Sequence, residues 1–399
     1  MTVRVNKDSF NLREKLSELE RPIGLKGSDL MSADTAQEAR DLVSAGRKNL
    51  VINGSMMINQ RGNKTGYVGS SNEVHHGPDR FLTSIYGTVS INQSSDVPEG
   101  YGFEYSKELL CAATSTHTNR YLTFIYRMEG YDSMVFNYGT SKAKHVTLSF
   151  WIKSNKACDI SVNFENEQNP DRGYQVKQTI NNVDTWEKKI VTIPGDTART
   201  LTTGPQKAFC FDIFLSAPGS NFTGGTPSES WTDLANNERG AHCNADFYDS
   251  TSNYFRVTGV QLELGKNATE FEHRSYGEEL ALCERYFEKI WQNNNSQSPN
   301  SGGDGYNTIA SGAHNGSYGY YVWKFRTQKR VRPSLDYVGK FRVIGGGSIT
   351  NLTINEFYSP GLDAGRIRSS HSGSTGQAFV LEFDGGNSSN GYLSATAEL

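Results

Sequence analysis

Residues Tyr254 to Ile290 read YFRVTGVQLELGKNATEFEHRSYGEELALCERYFEKI, and this stretch decides the fold. Up to Leu264, apolar side chains recur near every second position with a slip at Gly259, which is typical of a half-buried β-strand with a bulge. Gly265 ends that strand. Ser275, followed three residues later by Glu278, forms the capping box that opens a helix. The stretch therefore predicts the last strand of a β domain and a helix after it.

The predicted helix spans residues 275–292 and carries one apolar stripe. The stripe recurs at offsets of three and four and consists of Tyr276, Leu280, Cys283, Phe287 and Ile290. A stripe of this kind packs on a surface built earlier in the chain. We therefore interpret residues 275–292 as a connecting helix between two β units.

Residues 48–274 carry a β pattern, with turns of Gly, Pro and Asn and no alternating helices. Apolar and polar residues alternate in HVTLSFWIK, residues 145–153, and again from Cys158 to Phe164, which is typical of an antiparallel pair. Strands are predicted at Thr88–Asn92, Gly102–Tyr105, Tyr121–Arg127, His145–Lys153, Asp159–Glu165, Trp186–Ile193, Ala208–Leu215 and Tyr254–Leu264. Short strands at this spacing indicate a two-sheet sandwich.

Residues 1–47 have the character of an arm rather than a domain. Apolar residues recur at short helical spacing near the start: Phe10, Leu12, Leu16 and Leu19. A second short helix is predicted between residues 35 and 46. Helices this short are marginal alone, so their leucines must pack on other copies or on another protein. We predict an anchoring and oligomerisation arm and a homotrimer, because helices that cannot bury their leucines alone suit a threefold bundle.

A second β unit is predicted within residues 293–399. It follows a polar segment at 292–305, QNNNSQSPNSGGDG, which we interpret as a linker or loop. Its predicted strands are Ser317–Arg326, Ser334–Ile344, Ile349–Phe357, Gln377–Phe383 and Tyr392–Leu399.

Composition excludes several classes of protein. A chain of 399 residues predicts two or three domains, and 40 glycines favour β structure with many turns. The net charge of -3 gives no basic field, so nucleic acid is not an expected partner. The longest apolar runs are a few residues, which predicts no membrane span, and MTVRVNKDSF lacks the apolar core of a signal peptide.

The cysteines are odd in number and never form C-x-x-C, so neither a zinc site nor a disulfide framework is indicated. They are Cys111, Cys158, Cys210, Cys243 and Cys283. We predict buried free thiols and synthesis in a reducing cytoplasm.

The opening stretch resembles the closing segment of a carbohydrate-binding-module-like jelly roll found in tail-fibre and other structural proteins of bacteriophages, particularly marine ones. The family pattern is GvQLE.G..AT.FE.R....EL..C.RYY. The matching positions are Gly259, Gln261, Leu262, Glu263, Gly265, Ala268, Thr269, Phe271, Glu272, Arg274, Glu279, Leu280, Cys283, Arg285 and Tyr286. A match this dense identifies an architecture and a setting, not a ligand.

Two further segments carry the resemblance. The first 62 residues resemble the arm and first strand, NLIINGDF..WQRG, of tail proteins of marine podoviruses, with matches at Asn53, Gly54, Gln60, Arg61 and Gly62. Asn59 and Phe81 replace tryptophans of that pattern, which argues against sugar stacking at those two positions. RVRPS at 330–334 and ATAEL at 395–399 resemble a small sandwich that often follows the module.

The resemblance implies a jelly roll for residues 48–274, a small β-sandwich for residues 293–399 and a place in a virion. Jelly rolls of this type can carry a structural calcium bound by oxygen ligands, for which Asp246 and Glu263 are the candidates here. No other metal or cofactor is expected.

No catalytic signature of the hydrolase, phosphate-loop or zinc-protease kind is present. The nearest approach to a metal site is His75-His76 with Asp79. Adjacent side chains of an extended chain point apart, and no third ligand is close in sequence. We therefore interpret this segment as a solvated loop.

Exposed aromatic rings are the better indication of a ligand, because sugars stack on them. Trp151 falls on the outward side of its strand, while Trp231 and Tyr248 fall in a long polar loop from Ala217 to Tyr248. Packing against a neighbouring subunit or a sheet edge explains each ring as well, and we favour that interpretation.

These observations favour a non-enzymatic structural protein of a phage virion: a short tail fibre, or an appendage of the tail or capsid, made in the host cytoplasm. The expected partners are further copies of the chain, other virion proteins and, through the β units, a host surface glycan. Two alternatives stay open: a polysaccharide depolymerase, and a spacer without receptor binding.

Overall fold

The computed structural model describes residues 48–167, 172–291, 308–339, 341–345, 348–358, 361–383 and 392–399. The predicted arm of residues 1–47, with Phe10, Leu12, Leu16 and Leu19, lies outside the described residues, and so does the predicted linker at 292–305. Residues Asn49–Leu399 form one unit. That unit is mainly β with few helices, which confirms the predicted fold class.

The first part of the unit, which we call the sandwich, is built from antiparallel strands. They are β1 (Lys64–Val74), β2 (Phe81–Ser94), β3 (Ser106–Ala113), β4 (Tyr121–Glu129), β5 (Val146–Ser154), β6 (Cys158–Asn166), β7 (Arg172–Ile180), β8 (Glu187–Ile193), β9 (Lys207–Ser216), β10 (Thr232–Asp233) and β11 (Tyr254–Leu264). Their order is β10-β7-β6-β9-β4-β2-β3-β11-β5-β8, with β1 paired to β2. The helices are α1 (Gly130–Ser133), α2 (Ser220–Thr223) and α3 (Tyr276–Glu284).

Strand β2 is shared by the two halves of this curled sheet. Its first half pairs with β4 and its second half with β3. Between the halves, Gly87 has a φ of 143°, and a Cβ there would lie 2.4 Å from Cε1 of Tyr248. Glycine therefore permits both the backbone conformation and the close approach of the ring. The strand bends here, and the two halves enclose one core.

The alternation in the sequence predicts which side chains fill that core. On β5, Val146, Leu148, Phe150 and Ile152 are all buried, and they share one cluster with the inward residues of β9. Burying each such side chain contributes about 1.5–3 kcal/mol. All five cysteines are free thiols, and all are buried except Cys243, which is partly exposed.

One predicted strand is wrong, and some observed strands are not predicted from the sequence. Gly102–Tyr105 is not a strand but part of a loop, in which Gly100 and Gly102 adopt φ of 82° and 74°. The strand begins at Ser106 instead, in SKELLCAA, whose residues favour helix; pairing with β2 and β11 overrides that preference. Strand β1 is polar and exposed along most of its length, so it shows no alternation.

The predicted connecting helix over 275–292 is right only in its first half. Ser275 accepts a hydrogen bond from the backbone N–H of Glu278, as the capping box predicts. Helix α3 ends at Glu284, however, and residues Phe287–Trp291 form strand β12, which pairs with β20 (Tyr392–Thr396). A strand partner from the far end of the chain decides this conformation, and the local apolar spacing cannot reveal that partner.

The C-terminal β unit takes the form of a closed barrel where a small sandwich is predicted. Its strands are β13 (Thr308–His314), β14 (Gly319–Lys324), β16 (Phe341–Gly345), β17 (Ser348–Tyr358), β18 (Ala364–Ser370) and β19 (Ala378–Phe383). They close in the order β13-β14-β18-β17-β16-β19 around buried Tyr321, Trp323 and Ile367. Strand β15 (Ser334–Val338) joins β12 and β20 in a three-stranded sheet.

The end of the chain returns to the sandwich. Glu398 accepts a hydrogen bond from Nη1 of Arg80 at 2.6 Å, and its other oxygen lies 3.1 Å from Nη2 of Arg61. The guanidinium of Arg80 lies 3.5 Å from the ring centroid of Tyr286, and that of Arg61 lies 3.5 Å from that of Phe287. The segment that follows α3 is thus held between two arginines and the chain end.

This ion pair is buried, so its removal should be costly. The side chains of Arg80 and Glu398 are 1% and 5% exposed. Glu398→Gln leaves the buried guanidinium without its carboxylate, and we expect a loss of about 3–5 kcal/mol in the free energy of unfolding. Urea denaturation measures this loss.

A surface pair supplies the control for that measurement. Glu356→Gln removes the partner of Arg368, where the two side chains are 40% and 27% exposed, and should cost less than about 1 kcal/mol. Equal losses in the two variants would contradict the importance of the buried pair.

Candidate functional site

Trp151 is half-buried on the outward face of β5 and has an aromatic neighbour. The ring of Tyr101 lies 4.4 Å from it, centroid to centroid, at an interplanar angle of 49°. Tyr101 is 54% exposed, so the pair forms an accessible aromatic surface. We call these two residues the Tyr101–Trp151 pair.

A bulge in β11 makes room for this pair. The pairing of β11 with β5 shifts register between Thr258 and Gln261, and Gly259 there has a φ of 60°. A Cβ at Gly259 would lie 2.9 Å from Cδ1 of Trp151 and 2.6 Å from Cζ of Phe103. The slip that the sequence shows at Gly259 is therefore the place where the tryptophan is seated.

The loop that carries Tyr101 is anchored on the segment after β11. Phe103 packs edge-on against Phe271, with ring centroids 5.0 Å apart, and its ring lies 5.3 Å from that of His273. Nε2 of His273 lies 3.0 Å from the carbonyl oxygen of Tyr101, within hydrogen-bond distance. The loop that carries the exposed Tyr101 ring is thus fixed by contacts within the protein, without a ligand.

Strand β8 extends the same surface with one apolar and one basic residue. Lys188 lies directly across from Trp151, and Ile190 lies across from Ser149; Ile190 is 50% exposed. Aromatic and aliphatic surface beside an amine can accept the apolar face of a sugar ring and donate to its hydroxyls. This arrangement can bind; it holds no nucleophile or acid–base pair.

Trp231 is placed differently. Its Nε1 donates to the carbonyl oxygen of Pro194 at 2.7 Å, and its ring meets Tyr138 and Tyr174 edge-on at 5.6 and 5.8 Å. The ring is half-buried against the core of the sandwich. These contacts are made within the same chain, and a ligand contact at Trp231 stays a prediction.

Tyr248 cannot serve as a stacking surface, so the prediction of a ligand contact at this residue is wrong. It is fully buried, and its hydroxyl donates to the carbonyl oxygen of Tyr121 at 2.9 Å. Burial raises the pKa of Tyr248 well above its usual value. The ring fills the bend of β2 beside Gly87, which the polar sequence around it does not reveal.

The two calcium candidates are already bound by protein donors. Asp246 accepts from Nη2 of Arg120 at 2.7 Å and caps the backbone N–H of Tyr248. Glu263 accepts from the backbone N–H and the hydroxyl of Thr269, at 2.8 and 2.7 Å. Calcium at either carboxylate stays a prediction, and the ion would have to displace these donors.

No group of three or more His, Cys, Asp or Glu side chains that could hold a metal ion occurs in the described ranges. None of the helices in those ranges is long and apolar enough to span a bilayer.

The segment with His75 and His76 is not a solvated loop, which corrects the interpretation of its sequence. The side chain of Asp79 is 1% exposed, and both its oxygens accept hydrogen bonds from Gln60. Nδ1 of His75 lies 4.0 Å from Glu398. These residues form the wall of the buried site that receives the chain end, and the sequence gives no sign of that long-range contact.

The long loop from Ala217 to Tyr248 covers the outer side of β6 and β9. Arg239 from this loop forms an ion pair with Glu165, and its carbonyl oxygen accepts from Nδ2 of Asn163 at 2.9 Å. Burial, and for Asp212 also the charge of Glu165, raises the pKa of Glu165 and Asp212. These two carboxyl groups are enclosed, so they face no cleft in which a glycosidic bond could lie.

A cavity of about 440 Å³ opens on the same loop. It is lined by Asn221, Phe222, Asn236 and Asn237. The ring of Phe222 packs on Tyr121 with centroids 4.7 Å apart. Amide groups around one ring suit a hydroxyl-rich ligand, which makes this cavity a second possible contact for a sugar.

Known structures are similar to about half of this chain. One is the enzymatically active domain of tailspike protein 4 of bacteriophage CBA120, with 13% identity, a TM-score of 0.29, and coverage of 54% of this chain and 21% of that chain. Another is a putative sugar binding protein from Bacteroides thetaiotaomicron, with 11% identity, a TM-score of 0.26, and coverage of 55% and 100%.

A third similar structure is a family 11 carbohydrate-binding module of a cellulosomal cellulase of Clostridium thermocellum, with 12% identity, a TM-score of 0.24, and coverage of 50% and 99%. This chain thus spans about a fifth of the tailspike chain. No family model and no curated protein matches the sequence. Similarity at these values carries no argument about function, so the function rests on this chain's own side chains.

Two features of the candidate site have no signal in the amino-acid sequence. Tyr101 lies directly before Gly102–Tyr105, a stretch predicted to be a strand, so an exposed ring on a loop is not expected there. Its pairing with Trp151 depends on contacts 50 residues apart in the chain, which no local pattern encodes. Trp151 itself follows from the alternation of β5.

The buried histidines should make stability depend on pH. Burial lowers the pKa of both His75 and His76 from 6.5 to about 4. Between these values the unfolded chain binds more protons, so the free energy of unfolding should fall as pH drops from 6.5 to 4. Burial raises the pKa of Asp79 to about 6. Between about pH 4 and 6 this carboxyl group therefore increases the free energy of unfolding as the pH drops, which opposes the effect of the histidines.

Removing both imidazoles isolates their contribution to the pH dependence of the free energy of unfolding. In the variant His75→Gln/His76→Gln, urea denaturation across this pH range should give a shallower dependence than in the wild type. His117→Gln, which changes an exposed histidine, is the matched control. Identical pH profiles for the double variant and the wild type would contradict the assignment.

Proposed function

We propose that this chain is a non-enzymatic structural protein of a bacteriophage virion that touches host surface glycans through the Tyr101–Trp151 pair. In this proposal it is a short tail fibre, or an appendage of the tail or capsid, made in the host cytoplasm. The observation that carries the glycan contact is the exposed aromatic pair, seated at the bulge at Gly259 and flanked by Lys188. The place in a virion rests on the resemblance of the sequence to phage tail proteins.

The chemistry of the pair favours a sugar. Aromatic rings bury a large area at small cost in side-chain entropy, and the tyrosine hydroxyl adds a polar contact at the rim. One such site binds weakly, since few rings stack and many hydroxyls lose water. Copies joined in a trimer and repeated around a virion would raise the avidity by presenting the sites at high effective concentration.

The burial of two carboxyl groups in the sandwich supports binding over hydrolysis. Glu165 and Asp212 are buried beneath Arg239, and retaining or inverting hydrolysis needs two carboxyl groups that reach a bound glycan. A depolymerase is the rival function. Release of oligosaccharides from host glycans by the purified chain would establish it.

The arm of residues 1–47 supplies attachment in this proposal. Its apolar residues, Phe10, Leu12, Leu16 and Leu19, would be buried in a threefold bundle or against another virion protein. Burial of each contributes about 1.5–3 kcal/mol where fully enclosed. Sedimentation of the full chain tests the trimer, and a monomer at micromolar concentration would contradict it.

Substitution of the pair tests glycan contact. Trp151→Ala and Tyr101→Ala should each weaken binding of the multivalently displayed chain to a glycan array by about tenfold or more, which corresponds to about 1.4 kcal/mol. The double variant should lose less than the sum of the two effects, because the rings touch.

Tyr276→Ala is the matched control, since this tyrosine is 58% exposed on α3. If Asn237→Ala abolished binding and Trp151→Ala did not, the loop cavity would be the site. If no variant and no host glycan gave a signal at any density, the spacer interpretation would hold.

Deletion of residues 1–30 tests attachment. The shortened chain should remain a folded β protein, because the described unit begins beyond the deletion, and it should no longer join particles. Circular dichroism checks the fold, and immunodetection in purified virions checks incorporation. Normal incorporation of the shortened chain would place the anchor elsewhere.

A further inference from the structure

The barrel presents an outward face on β14 and β18 that contributes nothing to its core. Along β14, Tyr320 and Val322 alternate with buried residues, and Val322 is 54% exposed. Along β18, Arg366 and Arg368 alternate with buried residues in the same way. The strands pair Tyr320 with Arg368 and Val322 with Arg366, so all four side chains share one face.

Each arginine on this face lies over a tyrosine ring. The guanidinium carbon of Arg368 is 4.6 Å from the ring centroid of Tyr318, and that of Arg366 is 5.4 Å from that of Tyr320. A ring below a guanidinium stabilises it through the cation–π interaction and occupies none of its N–H donors in the guanidinium plane. We call Tyr318, Tyr320, Val322, Arg366 and Arg368 the Tyr–Arg face.

Cationic side chains outnumber acidic ones on the outward sides of β14 and β18. Lys324 continues β14 beyond Val322, and no acidic residue lies on the outward side of either strand. The nearby acids are Asp363, just before β18, and Glu356 on β17, which lies 2.7 Å from Nη2 of Arg368. Both side chains of that ion pair are partly exposed, so the pair is weak and another anion can replace Glu356.

Small side chains border the face on its other side. Ser311 and Ala313 of β13 lie across from Val322 and Tyr320, and both are exposed. They leave the edges of the rings uncovered on that side. The two arginines, two positions apart in one strand, are separated by about 7 Å along it, which suits successive charges of a polymer.

We propose that the Tyr–Arg face binds an acidic polysaccharide. Carboxylate or sulfate groups pair with the guanidinium groups of Arg366 and Arg368, whose fork of donors matches planar oxyanions. Sugar rings lie against Tyr320 and Val322. The inference rests on the proposed function only for the source of the polymer, a host surface glycan, and its site is separate in sequence and in fold from the Tyr101–Trp151 pair.

A protein partner is the other class of ligand for aromatic and arginine side chains. Aromatic residues and arginine occur at protein interfaces too, but lysine is depleted there, whereas Lys324 extends the positive charge of this face. The polymer is therefore the better match, and a protein contact becomes one outcome of the test.

The test is affinity electrophoresis of the full chain in gels that contain a polyanion or its neutral counterpart. Polygalacturonate is compared with the same polymer after methyl esterification, and dextran sulfate with dextran. We expect retardation by at least one polyanion, little by the neutral polymers, and a decrease with added salt. Arg366→Gln/Arg368→Gln should weaken polyanion binding by about tenfold or more.

Matched variants separate this site from general charge and from the first site. Arg199→Gln/Lys142→Gln removes two exposed positive charges of the sandwich and should leave retardation unchanged. Tyr276→Ala, which changes an exposed ring outside both sites, should also leave it unchanged. The glycan-array assay of Trp151→Ala reports on the aromatic pair alone, so a failure of glycan contact there and a failure here are distinguishable. Circular dichroism and urea denaturation confirm that each variant folds.

Several outcomes would overturn the proposal. It is overturned if neither polyanion retards the chain, or if the double arginine variant binds as the wild type does. It is also overturned if the control variant loses as much binding as the double arginine variant. If the arginine variant keeps polymer binding but changes the sedimentation of the full chain, the face is an interface between copies and not a glycan site.

Discussion

The buried ion pair between Arg80 and Glu398 is the constraint on which the described unit depends. Two charges can be taken out of water only when they meet each other and further hydrogen-bonding partners. Here Arg61 lies beside Glu398, and the backbone carbonyl oxygen of Arg127 accepts from Nη2 of Arg80. Burial alone would raise the pKa of Glu398, but the charges of Arg80 and Arg61 lower it to about 2. Arg80 also has a φ of 74°, a strained conformation for a residue with a side chain, which the surrounding contacts must hold in place.

Glycine positions determine where the sandwich departs from regular sheet, and function follows from those departures. Gly87 bends β2 so that the two halves of the sheet face each other, and Gly259 opens the bulge that seats Trp151. In both cases a bulky aromatic ring occupies the space that a Cβ would need. A glycine therefore makes room for Tyr248 in the core and for Trp151 at the surface. The neighbouring loops determine which of the two rings is covered.

Local patterns in the sequence predict the parts of the fold that local forces determine. The alternation in β5, the bulge in β11 and the cap at Ser275 are all as expected, because each depends on residues a few positions apart. The strand at Phe287–Trp291 and the placement of Glu398 are not predictable in this way, since each needs a partner from the other end of the chain. For the site, alternation points to Trp151 but not to Tyr101, whose position depends on the packing of Phe103 beneath it.

The pairing of β12 with β20 gives the barrel two neighbouring points of attachment. Phe287 lies across from Thr396, so the chain leaves the sandwich and comes back to it at adjacent positions of one ladder. Everything between these two positions is, in topological terms, an insertion between two paired strands. A different β unit could replace the barrel strands only if Lys329 and Arg330 were kept, because Lys329 pairs with Glu288 and Arg330 donates to the carbonyl oxygens of Ala397 and Glu398. The barrel strands are thus the part that can diversify, and the segment around the chain end is the part that must keep its shape.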